Sequence, residues 1–374
     1  MIILHYGAGN IGRGFIAPIL LNSGFVTEFY FIDNNKELIN KLKNSKEYKI
    51  KYLDESNKVD TVKGYKALLS NKLESNLSLE TIDVITTSID LGNLKHSISQ
   101  VISIIETKQK SNTPLIIMCC ENGEKVSSFF KNQIEEHHVI NNDLIKFVDV
   151  MVDRIVPNEV SDDLSIKVET YYSWVANENA WSEQTNKFET ITYTNIIDAE
   201  ICKKVWMLNV AHAALAWKKL TLTKFEKKYI NITLNDAKEH TLLYFLQDYL
   251  KEISKIVSVE FNYDKEKLED FRETIIKRFT NNYIKDDFER VARNTIKKLQ
   301  LDERIMKPFL IAKKNDISFV KLKETIKNAF SYNNTNDEDG TIIQNLLQEN
   351  KSLDYIIKKL VKNIDDSIIQ LITN

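Results

Sequence analysis

Three polar residues interrupt an apolar stretch at 201–217 of this 374-residue chain: Lys204, Asn209 and His212. The apolar positions around them (Val205, Trp206, Met207, Leu208, Val210, Ala211, Ala213 and their successors) surround a helix axis, which marks a buried helix. With Lys204 at 0°, Asn209 falls at about 140° and His212 at about 80°, so an amine, an amide and an imidazole share one side over roughly 12 Å. Burying all three without partners costs several kcal/mol, so something polar must sit against them. Desolvation favours a neutral Lys204 and moves it toward the pKa of a general base. Alcohol oxidation needs such a base, which takes the hydroxyl proton as hydride leaves. Asn209 could stabilise the developing charge on oxygen, and His212 could orient further hydroxyls. Spacing alone leaves a second reading equally open, a buried helix whose polar groups bond to backbone and water.

A second cluster lies at the N-terminus. Four of the nine glycines fall between residues 7 and 14. Gly7, Ala8, Gly9, Asn10, Ile11 and Gly12 fit G-x-G-x-x-G, the turn that brings a pyrophosphate to a helix N-terminus. An ordinary strand-to-helix turn is the alternative, but the context favours the ligand. The motif follows a strand-like run at 2–4, and a second apolar strand at 29–32 ends in Asp33, 21 residues beyond Gly12. A carboxylate there accepts hydrogen bonds from a ribose and repels a 2′-phosphate. Asn34 and Asn35 follow with no arginine nearby, so NAD is expected rather than NADP.

The elements between these clusters must position them. Strand-like runs at 82–87, 114–120 and 147–152 alternate with helical stretches at 94–107 and up to about 136. That alternation predicts an α/β fold, a Rossmann-type doubly wound parallel sheet. Ligands of such sheets bind at the C-terminal strand ends, which places Thr87, Asn122, Asp153 and Arg154 near the crevice. Partial alternation at 164–174 suggests extra strands at the sheet edge. From about residue 195 the pattern turns helical, predicting a Rossmann domain over 1–195 and a mostly α-helical substrate domain over 196–374. The polar, acidic run 333–340 reads as a surface loop ending in glycine.

The net charge of −2, from 51 basic and 53 acidic residues, gives no reason to expect nucleic-acid or membrane binding. No apolar run is long enough to span a bilayer, and the first residues lack a signal peptide's basic region. The three cysteines and six histidines show no metal-ligand spacing. A cytoplasmic, metal-free protein fits best, monomeric or weakly dimeric. Only seven basic residues are arginine, so each hints mildly at a site needing a planar fork.

The run K-x-x-x-x-N-x-x-H at Lys204, Asn209 and His212 resembles the signature of the polyol-specific long-chain dehydrogenases. The opening residues 4–15 resemble one branch, the mannitol-1-phosphate 5-dehydrogenases. Further matches are Cys120-Glu121-Asn122, 153–157, 168–174, Arg278-Phe279, 283–287, 289–291, 302–304 and Lys307-Pro308. The resemblance implies zinc-independent, NAD-linked interconversion of D-mannitol 1-phosphate and D-fructose 6-phosphate. Lys204 would be the base, Asn209 and Asn122 would polarise the reacting oxygen, and His212 would position the sugar. Asp153 and Arg154 would meet substrate, although an ion pair between them is an alternative. Arg290, Arg293 and Lys307 are candidates for the substrate phosphate, against a solvated helix face in which Glu289 takes part. Where the branch has T-T-A-V-G, this chain has Thr86-Thr87-Ser88-Ile89-Asp90, which bears on substrate choice. The remaining alternatives are another polyol, polyol phosphate or sugar acid, or a silent NAD(H)-binding protein.

Overall fold

The computed structural model describes residues 1–157, 163–223, 237–284, 286–332 and 334–374. They form two compact units, Met1–Ile201 and Cys202–Asn374.

The first unit is built on β1 (Ile2–Tyr6), α1 (Ala17–Leu21), β2 (Glu28–Asp33), α2 (Lys36–Ser45), β3 (Glu47–Tyr52), β4 (Val59–Lys63) and β5 (Tyr65–Leu69). There follow β6 (Val84–Thr87), α3 (Ile98–Lys110), β7 (Leu115–Cys119), α4 (Val126–Glu135), β8 (Ile145–Phe147), β9 (Val150–Asp153), β10 (Ile166–Val168), β11 (Ser173–Asn177) and β12 (Thr192–Thr194). Six strands make one parallel sheet in the order β5-β2-β1-β6-β7-β8. Both faces are covered, so its strands read as continuous apolar runs. Ile3, Phe29, Phe31, Val84 and Ile116 enter one core, and Leu4, Tyr30, Ile32, Ile85 and Ile117 enter the other. The strand order reverses between β1 and β6, which opens the crevice where such sheets bind ligands.

Two expectations for this unit need correction. The run 147–152 is two strands, β8 ending the large sheet and β9 pairing antiparallel with β11. Asp149 lies between them. Its carboxylate accepts from Ser128 N at 2.9 Å and Ser128 Oγ at 2.5 Å, and its carbonyl from Asn177 N at 2.9 Å, so the chain passes to another ladder. Nor does 164–174 extend the large sheet. β10 pairs with β3 in a separate three-stranded sheet, and β11 belongs to another with β9 and β12. The apolar positions of β3 (Tyr48, Ile50, Tyr52) are diluted by lysines, which hid the strand that β10 joins.

The second unit is helical. α5 (Ile197–Lys203) spans the division, and a π-helical segment, Lys204–Asn209, leads into α6 (Val210–Thr223). α7 (Ala237–Phe261), α8 (Lys265–Phe279), α9 (Phe288–Ala292), α10 (Thr295–Lys298), α11 (Met306–Lys314), α12 (Val320–Ala329), α13 (Glu338–Gln348), α14 (Leu353–Leu360) and α15 (Asp366–Thr373) follow. α6 is central and packs against α7, α9 and α12. The expected loop at 333–340 is shorter: α13 starts at Glu338, and the Asp337 carboxylate caps it by accepting from Gly340 N at 3.2 Å. Gly340 therefore lies in the first helical turn, and Asn333 lies outside the described residues. Among the described residues no helix is long and apolar enough to cross a membrane.

Candidate active site

The glycine loop is shaped by what lies beneath it. Gly7 leaves β1 with φ +111°, and a Cβ there would stand 2.5 Å from the Ser88 carbonyl oxygen. A Cβ on Gly12 would stand 2.1 Å from the Gly7 carbonyl oxygen and 2.7 Å from His5 Nε2. Gly12 opens a π-helical segment, Gly12–Ile16, that runs into α1. Around Gly9 there is open space, with no atom within 4 Å of an added Cβ, so a phosphate could come close to the backbone there.

His5, fully buried below the loop, hydrogen-bonds Thr86 Oγ1 at 2.8 Å and Ser88 Oγ at 2.9 Å. Burial pushes its pKa down to about 3, so it is a neutral strut. Ser88, one of the departures noted above, thus has a structural partner. Arg13 braces the loop from behind, its Nε donating to Ala8 O at 2.8 Å and Nη1 to Leu164 O at 2.7 Å. Asp33, at the end of β2, accepts from Ala8 N at 2.8 Å through Oδ2 and from Asn35 N at 2.8 Å through Oδ1. A tight loop, an open approach at Gly9 and a carboxylate at the end of the second strand fit a dinucleotide.

The other expected residues of this unit lie as follows. The Thr87 hydroxyl donates to Glu121 Oε1 at 2.6 Å, and Glu121 also accepts from Ile89 N and Asp90 N, each at 2.9 Å. Thr87 is therefore part of the crevice floor, and Glu121 is its organiser. Burial raises the Glu121 carboxyl's pKa, while the three donors oppose that shift. Asp90 is held at φ 73° and ψ 140°, a conformation that glycine adopts readily and other residues only at a cost in strain. Asn122 is exposed after β7, and Asp153 is buried at the end of β9. Arg154 makes no ion pair with Asp153. Its Nε donates to Glu169 O at 3.0 Å, its Nη1 to Gly14 O at 3.1 Å, and the guanidinium lies over the Tyr52 and Tyr172 rings. It clamps the glycine-rich turn from below instead of offering its fork to a substrate.

In the helical unit, Lys204, Asn209 and His212 are half-buried, as is Lys203, while every other residue from 201 to 217 is buried. The polar side chains form one window in a sealed helix. Its geometry is tighter than α-helical spacing implies. Residues 204–209 are π-helical and Val210 N donates to Val205 O, so five residues make about one turn and Asn209 returns over Lys204. The Trp206 carbonyl in this segment accepts from the buried Tyr249 hydroxyl at 2.8 Å. The neighbouring Lys203 donates to Tyr263 OH at 2.7 Å and lies over the Tyr263 and Phe271 rings.

His212 sits at 4.8 Å from the Phe279 ring, with Nε2 3.5 Å from Asp286 Oδ2. Burial pushes its pKa down to about 4, against the pull of Asp286, so the imidazole is neutral. Arg290 grips the same carboxylate with two donors, Nε to Oδ1 at 2.6 Å and Nη2 to Oδ2. Arg290 therefore serves Asp286. Arg293 is exposed just beyond α9, and Lys307 is half-buried in the first turn of α11. The side chain of Glu289 lies outside the described residues. Asp286 and Tyr249 were not singled out from the sequence. Nothing in their local pattern separates them from surface acids and core aromatics.

Among the described residues, no group of three or more His, Cys, Asp or Glu could hold a metal ion. The family defined by the mannitol dehydrogenase Rossmann domain matches residues 1–190, and that of the mannitol dehydrogenase C-terminal domain matches residues 197–367. The chain belongs to the mannitol dehydrogenase family. A curated relative from Mycoplasma mycoides subsp. mycoides SC, named mannitol-1-phosphate 5-dehydrogenase, is 38% identical over 333 residues, or 89% of this chain and 98% of its own. A relative of the same name from Mycoplasmopsis pulmonis is 35% identical, over 97% of this chain and 94% of its own.

Solved structures agree in fold. A substrate-free D-sorbitol dehydrogenase superposes with a TM-score of 0.77 at 16% identity, covering 99% of this chain and 91% of that one. Pseudomonas fluorescens mannitol 2-dehydrogenase, solved with NAD and D-mannitol, gives 0.67 at 16% identity, covering 96% and 85%.

Proposed function

We propose that this family member is an NAD-dependent oxidoreductase interconverting D-mannitol 1-phosphate and D-fructose 6-phosphate. The observation that carries the reading is the window of Lys204, Asn209 and His212 in an otherwise sealed helix. The name shared by the Mycoplasma mycoides and Mycoplasmopsis pulmonis relatives supports the substrate. NAD, held by the backbone at Gly7, Gly9 and Gly12 with Asp33 toward its ribose, would accept hydride in oxidation and supply it in reduction. Lys204 takes the substrate's hydroxyl proton in oxidation and returns it in reduction. Asn209, with Asn122 as a second amide, donates to the reacting oxygen as charge develops. His212, neutral at pH 7, keeps one ring nitrogen as donor and one as acceptor for a sugar hydroxyl. A cytoplasmic location and a monomeric or weakly dimeric state belong to the same reading.

The test is NADH oxidation with fructose 6-phosphate, run beside fructose and fructuronate. Rapid turnover confined to the phosphate ester is expected. Equal or faster turnover of an unphosphorylated sugar would move the substrate, and tight NADH binding without turnover of any of the three would favour a silent binder.

A further inference from the structure

An α-helix gives each carbonyl the N–H four residues ahead. At Trp206 that partner would be Val210 N, but Val210 N donates to Val205 O instead, one residue further back. The Trp206 carbonyl is taken by a side chain from another helix. The Tyr249 hydroxyl, from the middle of α7, donates to it at 2.8 Å. A donor from α7 thus serves the carbonyl whose α-helical N–H has gone elsewhere.

Tyr249 and Trp206 are both fully buried, so bulk water does not reach that carbonyl. Burial and the charge of Glu252 push the Tyr249 phenol well above the usual tyrosine range, which keeps its hydroxyl a donor. The Tyr249 ring lies 6.5 Å from that of Phe245, one turn earlier in α7, and the Trp206 ring lies 5.7 Å from Phe261 at the end of the same helix. The grip of α7 on Trp206 therefore reaches both its backbone and its side chain.

A π turn is rare and needs support from its surroundings. Without the hydroxyl, the turn that returns Val210 N to the Trp206 carbonyl becomes the better paired one, because a buried carbonyl is costly to leave short of a donor. That return would restore the α register. Asn209 and His212 would then sit about 100° from their present places relative to Lys204.

We propose that Tyr249 is a positioning residue whose hydroxyl holds 204–209 in the π register, and so keeps Asn209 and His212 in phase with Lys204. This rests on the reading above in which those three side chains act together on the substrate.

The test uses the full-length protein with Tyr249→Phe, and with Tyr249→para-fluorophenylalanine and Tyr249→para-aminophenylalanine, which fill the hydroxyl's space without and with a donor. Crystal structures of the variants read the register. Both donor-free variants should show an α turn with Val210 N on the Trp206 carbonyl, and the amine should keep the π turn. A π turn unchanged in the donor-free variants would overturn the proposal. Kinetics with fructose 6-phosphate read the consequence. The donor-free variants should lose about tenfold to a hundredfold in kcat while the NADH dissociation constant stays within about twofold, and the amine should recover most of the loss. Asn209→Ala should cost much less in Tyr249→Phe than in the wild type, because the amide is already out of place. Equal costs in the two backgrounds, or equal kcat for the two para-substituted variants, would leave Tyr249 a packing residue and end the proposal. If neither donor-free variant folds while the amine does, the hydroxyl serves the fold and the proposal falls. If the wild type reduces none of the sugars, the sugar-phosphate reading falls, and the crystallographic register alone decides.

Discussion

The two π-helical segments, Gly12–Ile16 and Lys204–Asn209, stand at the two proposed centres, for cofactor and for proton transfer, and are built in opposite ways. The first is a backbone device. Its shape is dictated by missing side chains, with Gly12 pressed against the Gly7 carbonyl and His5. The second is a side-chain device, in which an extended turn stacks Asn209 over Lys204 and Tyr249 takes up the Trp206 carbonyl. A site made of backbone tolerates no added atoms, whereas a site made of side chains tolerates none removed.

That contrast can be broken most directly at Lys204. Lys204→Ala should lower kcat by about 10²–10⁴-fold while the NADH dissociation constant stays within about twofold. Fluorescence titration beside steady-state kinetics reads both, and an unchanged kcat would remove the lysine from its role. In the glycine loop the separation runs between two alanine substitutions. Gly12→Ala forces a clash with main chain and should cost about 2–4 kcal/mol in urea unfolding, with loss of soluble protein the extreme case. Gly9→Ala adds its methyl to open space, so stability should change by less than about 1 kcal/mol while NADH affinity falls about tenfold or more. Equal destabilisation by the two would show that the loop is held by something other than close approach. The smallest effect is expected at Asp90. Relief of a strained backbone, worth about 1–3 kcal/mol, should outweigh glycine's entropy of about 1 kcal/mol. Asp90→Gly should therefore raise the melting temperature by a few degrees, and a fall would mean that the aspartate side chain holds the turn.

The backbone device was the more legible of the two in the sequence. Glycine clustering, the strand before it and Asp33 after it are local signals, and the alternation behind them carries the parallel sheet. The helical device was legible only at its centre. Lys204, Asn209 and His212 could be seen on one side of an apolar helix, but their convergence could not, because α-helical spacing holds no trace of a π turn. Arg154 and Thr87 lie at strand ends, and the contacts they make there, with Glu169 O and Gly14 O and with Glu121, left no mark in the sequence. A sequence position gives proximity to a crevice, while only packing decides whether a side chain turns toward it or beneath it. The same limit hid Asp286, which meets His212 across 74 residues of chain.

The segment at 204–209 has one more consequence. A π turn holds one residue more than an α turn, so everything beyond it is rotated by about 100° relative to an unbroken helix. The face that α6 shows to α7, α9 and α12 is thus out of phase with Lys204 by a fixed amount. Six residues therefore set the phase between the amine and the packing that supports it. A single-residue deletion there would leave the composition of the helix almost intact and turn its chemistry away from its core.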